Sequence, residues 1–253
     1  MSLFDLTGKR VLITGSTRGI GLALACGLAR AGAAIVLNGR DAKALDAAVA
    51  QLAGEGLAIS GSRFDVTERE DVIAAVAAIE AKDGAIDILI NNAGLQHRAP
   101  LEDFPAEAWH RLMRTNLDSA FFVGQAVARH MIPRRTGTII NVGSVQSELG
   151  RPGIAPYAAS KGGLKMLTKG MAIDWGRHGI RVNGLSPGYF KTELNAALVG
   201  DAGFSDWLAR RTPLGRWGEV EELIGAAIFL ASKAASFVTG HMLFVDGGVT
   251  SML

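Results

Sequence analysis

The sequence is poor in several features that would each point to a particular class of protein. Cys26 is the only cysteine among 253 residues, so no disulfide can form within one chain, and we expect a reducing, cytoplasmic setting. Aromatic residues make up 6% and charged residues 20%, so the hydrophobic 49% consists mainly of Ala, Val, Ile and Leu. Such a composition suits strands that are covered by helices on both faces.

Charge of one sign and long apolar runs are also scarce. The formal net charge is +2, and no basic tract interleaved with aromatics predicts a nucleic-acid surface. No apolar run is long enough to span a bilayer, and Met1–Arg10 lacks the apolar segment of a signal peptide. We therefore expect a small-molecule substrate, with no nucleic acid, membrane or metal as a partner.

Short β-branched segments alternate with longer Ala-rich segments of helical spacing along the chain. This alternation predicts an α/β fold, in which a parallel sheet carries right-handed crossover helices on both faces. No composition break or polar linker marks a boundary, so we expect one domain over 1–253. An irregular stretch at about 187–217 is expected to be a lid or binding segment inserted in that domain. The predicted strands are Arg10–Thr14, Ala34–Asn38, Ala58–Phe64, Ile86–Asn91, Thr138–Val142, Arg181–Leu185 and Met242–Val245, and the predicted helices include Gly19–Ala31, Ala42–Glu55, Glu68–Lys82, Pro105–Met131 and Pro156–Arg177.

A glycine-rich turn follows the first predicted strand and leads into a helix. In parallel sheets, ligands bind beyond the carboxyl ends of the strands, so this turn lies where a ligand is expected. Glycines let the backbone approach a pyrophosphate closely, and the helix N-terminus offers unpaired N–H groups. The pattern is Thr-Gly-x-x-x-Gly-x-Gly, and strand before with helix after predicts a dinucleotide site. Its predicted cofactor contacts are Gly15, Ser16, Thr17, Arg18, Gly19, Ile20 and Gly21.

The end of the second strand indicates which dinucleotide binds. An acidic residue there would accept the ribose hydroxyls of NAD, but the strand ends with Gly39 and Arg40. Arg40 and Arg18 together would pair with a 2′-phosphate, which favours NADP over NAD. The alternative is that both arginines are only solvated surface charge. Asp41 is either a helix N-cap or a ribose ligand.

Two further strand ends carry candidate cofactor contacts. Asp65 and Val66 follow the third strand, where they would hold the adenine edge, although Asp65 would equally serve as a helix cap. Asn92, Ala93 and Gly94 follow the fourth strand and would let the nicotinamide ribose sit against the backbone.

Ser144, Tyr157 and Lys161 form the candidate reacting centre. Ser144 follows the fifth strand, and Tyr157 and Lys161 lie one turn apart on one face of the next predicted helix. Reducing a ketone requires a hydride on carbon and a proton on oxygen. A free tyrosine has a pKa of about 10, and a nearby ammonium group and a cationic nicotinamide would both favour its phenolate, which makes it a useful acid and base. Ser144 would hold the carbonyl oxygen where charge develops.

Each of these residues also has an ordinary interpretation. Tyr-x-x-x-Lys is a common spacing, Lys161 would serve as an exposed helix lysine, and Ser144 would serve as a turn residue. The conjunction of all three with the upstream phosphate turn is what predicts a redox site.

With these motifs, the sequence closely resembles the short-chain dehydrogenase/reductase family over almost its whole length. The family implies a doubly wound Rossmann-type fold with a seven-stranded parallel sheet, and members commonly form homotetramers. It implies Asn116, Ser144, Tyr157 and Lys161 as the catalytic set, with Asn116 anchoring a proton-relay water. It also implies that Thr192 contacts the nicotinamide amide. The residues that match the family are Thr14-Gly15-x-x-x-Gly19-x-Gly21, Asn91-Asn92-Ala93-Gly94, Asn116, Ser144, Tyr157, Lys161, Pro187-Gly188 and Val245-Asp246-Gly247-Gly248. The predicted cofactor contacts are completed by Tyr157, Lys161, Pro187, Gly188 and Thr192.

Stretches outside the shared motifs resemble family members that act on sugar acids. They imply NADP and a polyhydroxy acid that is interconverted between its alcohol and ketone forms. Such a substrate needs a cation for its carboxylate and polar partners for its hydroxyls, so Gln146 and Arg98 join Ser144 and Tyr157 as predicted substrate contacts, and Arg151 is a weaker candidate. The alternatives are a 3-oxoacyl carrier-protein reductase, a polyol dehydrogenase, or an NADP-binding sensor without catalysis. The stretches are Val36–Arg40, Phe122–Pro133, Ser144–Leu149, Asp174–Gly179 and Arg211–Gly218.

Overall fold

The computed structural model describes residues 3–252, and its centre is one parallel sheet. Within those residues the sheet has seven strands in the order β3-β2-β1-β4-β5-β6-β7, and every neighbouring pair is parallel. This confirms the predicted doubly wound α/β fold. The strands are β1 (Arg10–Ile13), β2 (Ala34–Gly39), β3 (Ile59–Arg63), β4 (Ile88–Asn91), β5 (Gly137–Val142), β6 (Ile180–Pro187) and β7 (Met242–Val245).

Helices cover both faces of the sheet because the strand residues are apolar on both sides. Along β1, Val11 and Ile13 belong to one buried cluster and Leu12 belongs to the other. Helices α1, α2 and α9 supply the first cluster, and α3, α5 and α6 supply the second. The helices are α1 (Gly19–Arg30), α2 (Ala42–Gly54), α3 (Arg69–Lys82), α4 (Ala106–Met113), α5 (Ser119–Arg134), α6 (Ala155–Gly176), α7 (Ala196–Val199), α8 (Ala202–Arg211) and α9 (Ile224–Ala231).

The sheet changes direction of winding between β1 and β4. The chain runs outward from β1 to β2 and β3, and then returns to place β4 on the other side of β1. Crossovers leave the centre on opposite faces at such a point, which opens a crevice beyond the carboxyl ends of the central strands. The glycine-rich turn after β1 lies at this crevice.

Two predicted elements differ from those observed. The predicted helix Pro105–Met131 is interrupted by a π-helical turn at Arg114–Asp118, which separates α4 from α5. The stretch at 187–217 is not irregular throughout, because it contains α7 and α8. The Asp201 carboxylate accepts a hydrogen bond from Phe204 N at 3.1 Å and caps α8. An aspartate directly before a helix is a typical N-cap, so the start of α8 is visible in the sequence.

Within residues 3–252, none of the helices combines the length and the hydropathy that a bilayer crossing needs.

Candidate active site

A cleft of about 1190 Å³ opens beyond the carboxyl ends of the central strands. Ser16 and Asn116 are the two predicted site residues that do not line it, because their side chains are buried beneath its wall. The other predicted residues line the cleft: Gly15, Thr17, Arg18, Gly19, Ile20, Gly21, Arg40, Asp65, Val66, Asn92, Ala93, Gly94, Arg98, Ser144, Gln146, Tyr157, Lys161, Pro187, Gly188 and Thr192.

The turn between β1 and α1 is shaped by its glycines. Gly15 and Gly19 have φ angles of 59° and 56°, in the left-handed region that other residues rarely adopt. A Cβ on Gly21 would lie 2.6 Å from Gly15 O and 2.5 Å from Asn92 Nδ2, so only glycine allows α1 to start this close to the turn. The first N–H groups of α1 therefore lie at the cleft, where an anion would find unpaired donors.

Ser16 and Asn92 brace this turn from behind. The Ser16 hydroxyl donates to Ile13 O at 2.8 Å and accepts from Asn38 N at 3.0 Å, which ties the turn to β2. The Asn92 side chain donates to Thr14 O at 2.9 Å and to Gly15 O at 2.8 Å, which ties it to β4. Both side chains thus hold the backbone of the turn in place, and the predicted cofactor contacts of Ser16 and Asn92 stay predictions.

The outer end of the cleft is lined by two exposed arginines. Arg40 lies 3.3 Å from the Asp65 carboxylate, and Arg18 lies 3.4 Å from the Glu193 carboxylate. The two arginine side chains are 73% and 77% exposed, so both remain free to exchange these partners for another anion. Asp41, the acidic residue nearest to the end of β2, accepts from Ala44 N at 3.1 Å and caps α2.

At the inner end, Tyr157 on α6 lies beside Ser144. The tyrosine is half-buried, and its hydroxyl interacts with the Ser144 side chain. Burial raises the pKa of Tyr157, while the interaction with Ser144 and the positive charge of Arg98 lower it less strongly. The net direction is upward, because the desolvation of the phenolate outweighs the charge nearby, and the lowering by Lys161 together with a bound cationic nicotinamide stays a prediction.

Lys161 lies under the tyrosine and is almost fully buried. Its Nζ donates to Val142 O at 2.7 Å, at the end of β5, and lies 5.9 Å from the centroid of the Tyr157 ring. Burial lowers the pKa of Lys161 from 10.5 to about 8. The backbone carbonyl thus fixes the position of the ammonium group, and the group still carries a proton at neutral pH.

Asn116 lies on the π-helical turn, and its side chain bridges two parts of the site. Its Oδ1 accepts from Leu95 N at 2.8 Å, and its Nδ2 donates to Leu95 O at 3.0 Å and to Ser160 Oγ at 3.1 Å. The bridge joins the loop after β4 to α6, three residues from Tyr157. Single-turn π segments are often found at functional sites, and here the extra residue brings Asn116 inward. No spacing signal marks it in the sequence.

The remaining wall carries an arginine pair. Arg98 and Arg151 lie close enough that each charge disfavours the other, and burial together with Arg151 lowers the pKa of Arg98. Arg98 donates to Gln96 Oε1 at 2.9 Å, and Arg151 lies 5.2 Å from the centre of the Phe204 ring. Neither forms an ion pair with a carboxylate within residues 3–252.

Tyr189 closes this wall. Its hydroxyl accepts from Gln146 Nε2 at 3.4 Å, and its ring packs against the rings of Phe204, Trp207 and Trp217 with centroids 5.7 to 6.3 Å apart. The position directly after Pro187-Gly188 is the signal that marks it. Other lining residues outside the prediction include Leu95, Gln96, Thr115, Ile154, Phe190, Glu193, Asn195 and Leu198.

Known proteins share this whole architecture. A family model of the short-chain dehydrogenases, described as enoyl-(acyl carrier protein) reductase, matches residues 15–250. The gluconate 5-dehydrogenase of Gluconobacter oxydans (strain 621H) is 63% identical over 251 residues, which cover 99% of this chain and 98% of the relative. The 5-keto-D-gluconate 5-reductase of Escherichia coli (strain K12) is 53% identical over 247 residues, which cover 98% of this chain and 97% of the relative.

Among solved structures, a gluconate 5-dehydrogenase from Burkholderia cenocepacia J2315 in complex with NADP and tartrate is 62% identical. It superposes with a TM-score of 0.97 over 99% of this chain and 98% of that chain.

Proposed function

Because the chain belongs to the short-chain dehydrogenase/reductase family, we propose that it is an NADP-dependent oxidoreductase that interconverts D-gluconate and 5-keto-D-gluconate. The names of the two curated relatives at 63% and 53% identity support this substrate pair. The solved relative that holds NADP supports the cofactor. This pair agrees with the polyhydroxy acid that the stretches outside the family motifs predict.

The arginine pair is the observation in this chain that carries the proposed substrate class. Arg98 and Arg151 line the cleft near Tyr157 and have no carboxylate partner within residues 3–252. The charge of Arg151 disfavours the charge of Arg98, and the Nε of Arg151 is buried without a hydrogen-bond partner within residues 3–252. A substrate carboxylate would remove the repulsion and accept hydrogen bonds from both guanidinium groups. A sugar acid provides this group, whereas a neutral polyol does not.

The residues of the outer cleft fit NADP. Glycines at 15, 19 and 21 leave room for a pyrophosphate, and a Cβ at Gly21 would close that room. We assign the 2′-phosphate to Arg18 and Arg40, the adenine edge to Asp65 and Val66, and the nicotinamide end to the lining residues Asn92, Ala93, Gly94, Lys161, Pro187, Gly188 and Thr192. When bound there, the cofactor donates or accepts the hydride.

Tyr157 and Ser144 handle the proton. Both residues line the cleft and their side chains interact with one another, so both hydroxyls can donate to a carbonyl oxygen. During reduction Tyr157 gives its proton to that oxygen, and during oxidation it takes the proton back. The raised pKa of Tyr157 keeps the hydroxyl protonated, which suits reduction. The positive charges of Lys161 and Arg98 favour the phenolate, which oxidation requires, and Asn116 is assigned the role of positioning residue through Leu95 and α6.

NADPH oxidation in the presence of 5-keto-D-gluconate tests this function, with NADH measured in parallel. We expect turnover with NADPH, and a loss of roughly 100- to 10,000-fold in kcat for Tyr157→Phe with NADPH binding retained. Absence of turnover with either cofactor would contradict the proposed substrate. Assays with a 3-oxoacyl thioester and a neutral polyol would then separate the family alternatives, and binding without any turnover would indicate a sensor.

We further propose a homotetramer of single-domain subunits, in which 187–217 is the substrate loop. Phe121 on α5, with Met166 and Ile173 on α6, are 41%, 61% and 78% exposed, which supports an interface along these two helices. A monomer mass in light scattering would contradict it. The proposed location is the cytoplasm, on the expectation from the single cysteine.

A further inference from the structure

The side-chain oxygen of Gln146 is buried but accepts no hydrogen bond within residues 3–252. The residue is only 8% exposed and lines the cleft, yet its Oε1 has no hydrogen-bond partner within residues 3–252. Its other polar atoms are engaged, because the backbone N donates to Ser144 Oγ at 3.1 Å and Nε2 donates to Tyr189 Oη at 3.4 Å. Buried acceptors in native proteins are nearly always paired, so this carbonyl needs an explanation.

We propose that the Gln146 side-chain carbonyl accepts a hydrogen bond from a substrate hydroxyl on a carbon next to the reacting carbonyl, and that Tyr189 is the residue that positions the amide for this contact. The proposal rests on the proposed function and extends it, because it identifies which hydroxyl group of a polyhydroxy acid the site recognises. It also separates hydroxyl recognition at Gln146 from carboxylate recognition at the arginine pair.

The location of Gln146 specifies the neighbouring carbon. Its backbone N donates to Ser144 Oγ at 3.1 Å, and Ser144 lies close enough to Tyr157 for its side chain to interact with the Tyr157 hydroxyl. Those two hydroxyls are the groups assigned to the reacting oxygen. A polar group two residues beyond Ser144 therefore lies close to the substituents of the reacting carbon. In 5-keto-D-gluconate both neighbouring carbons, C4 and C6, carry hydroxyls.

Tyr189 positions the amide because its own hydroxyl is fixed by packing. The ring lies 5.7 Å from Phe204 and 6.0 Å from Trp217, centroid to centroid, and the backbone N of Gly218 donates to Tyr189 O at 2.9 Å. With Nε2 held by this hydroxyl, the carbonyl end of the amide is the end left for a ligand. The positive charges of Arg98 and Arg151 close by favour a carbonyl oxygen over an amide nitrogen as the free end.

The test compares 5-keto-D-gluconate with its 4-deoxy and 6-deoxy analogues, using NADPH and the full-length protein. A site built to pair a hydroxyl discriminates against the analogue that lacks it, because its polar group is then left unpaired. For one of the two analogues, we expect the unmodified enzyme to show a kcat/KM lower by on the order of 100-fold. In Gln146→Met, which keeps the length of the side chain but has no acceptor, this preference should fall by roughly 10-fold or more.

Tyr189→Phe keeps the ring in its cluster and removes only the hydroxyl. We expect it to lose part of the same preference, while Trp207→Phe, which alters the cluster but leaves that hydroxyl in place, should keep it. Both variants should bind NADPH with unchanged affinity.

An equal preference in the unmodified enzyme and in Gln146→Met would overturn the proposal. So would a loss of kcat/KM that is the same for all three substrates, since a merely structural role has that effect. If the unmodified enzyme fails to reduce 5-keto-D-gluconate at all, the proposed function fails and takes this inference with it. That outcome is visible before any variant is compared.

Discussion

Lys161 is a buried cation, and its replacement by Met is expected to flatten the pH dependence of stability. The residue is 4% exposed, and burial lowers its pKa from 10.5 to about 8. Below pH 8 the folded chain holds an ammonium ion in a poorly solvated site, whereas the unfolded chain holds it in water. A shift of this size corresponds to a destabilisation of about 3 kcal/mol at pH 7.

The sign follows from proton binding. Between pH 8 and pH 10.5 the unfolded chain binds more protons at this lysine than the folded chain does, so the free energy of unfolding rises with pH. Integrated from pH 7 to pH 9, the expected gain is about 1 kcal/mol. Burial raises the pKa of Tyr157 and of Tyr189 above 10, so both are largely protonated in folded and unfolded chains over this range and contribute little.

Urea unfolding of the cofactor-free protein at pH 7 and pH 9 measures this difference. The unmodified protein should gain the extra stability at pH 9, and Lys161→Met should not. The variant also deprives Val142 O of its donor, but this loss is the same at both pH values and cancels in the comparison. Lys169→Met, on the exposed side of the same helix, is the matched control and should keep the original dependence. Equal pH dependence in Lys161→Met and the unmodified protein would refute the reasoning.

Two further predictions concern the cofactor cleft. Arg40→Ala should lower kcat/KM for NADPH by roughly 10-fold, equivalent to about 1.4 kcal/mol, while kcat/KM for NADH stays the same. As a control, Arg30→Ala replaces a similarly exposed arginine and should change neither value. An equal fall with both cofactors in Arg40→Ala would contradict the assignment of Arg40 to the 2′-phosphate. Gly21→Ala should destabilise the fold by about 1–3 kcal/mol in urea unfolding and weaken NADPH binding, because its Cβ would lie 2.6 Å from Gly15 O. Gly170→Ala, at an open position of α6, is the control and should leave NADPH affinity unchanged. Normal NADPH binding by Gly21→Ala would show that the turn between β1 and α1 has room for a side chain at this position.

The fold could be predicted well because its strands carry an unambiguous signal. Most strands are short, apolar on both faces and followed by a turn, and this pattern is nearly independent of distant contacts. Strand β3 is an exception, because Ile59 is followed by Ser60, Gly61, Ser62 and Arg63. The π-helical turn at 114–118 could not be predicted, since it depends on contacts of Asn116 with the loop after β4 and with Ser160 on α6. The helices inside the 187–217 stretch were hidden by its glycines and prolines, although the Asp201 cap was readable.

The site residues that follow strand ends could be predicted from the sequence. The properties that depend on burial in the folded chain could not. Ser144 and the glycine turn lie where the topology of any doubly wound sheet places its ligand. The upward direction of the pKa shift of Tyr157 could not be predicted, because the sequence displays the nearby lysine but not the desolvation around the phenol. Tyr189 and the isolation of the Arg98–Arg151 pair likewise depend on packing between segments that are far apart in the chain.

Several groups that cost the folded chain stability border one cleft, and that clustering is itself evidence about function. A buried lysine, the amide oxygen of Gln146 and the Nε of Arg151 all border this cleft, and the last two are buried without a hydrogen-bond partner within residues 3–252. The charge of Arg151 also disfavours the charge of Arg98. Selection for stability alone would favour neutral or fully paired groups at these positions. Unpaired buried side-chain atoms outside the cleft lining belong to Asn91, Ser186 and Thr212, none of which is charged. Sequences depart from the ordinary rules of burial where activity requires it, so Lys161, Gln146 and the arginine pair are best explained by a proton, a hydroxyl and a carboxylate that must be held together in the cleft.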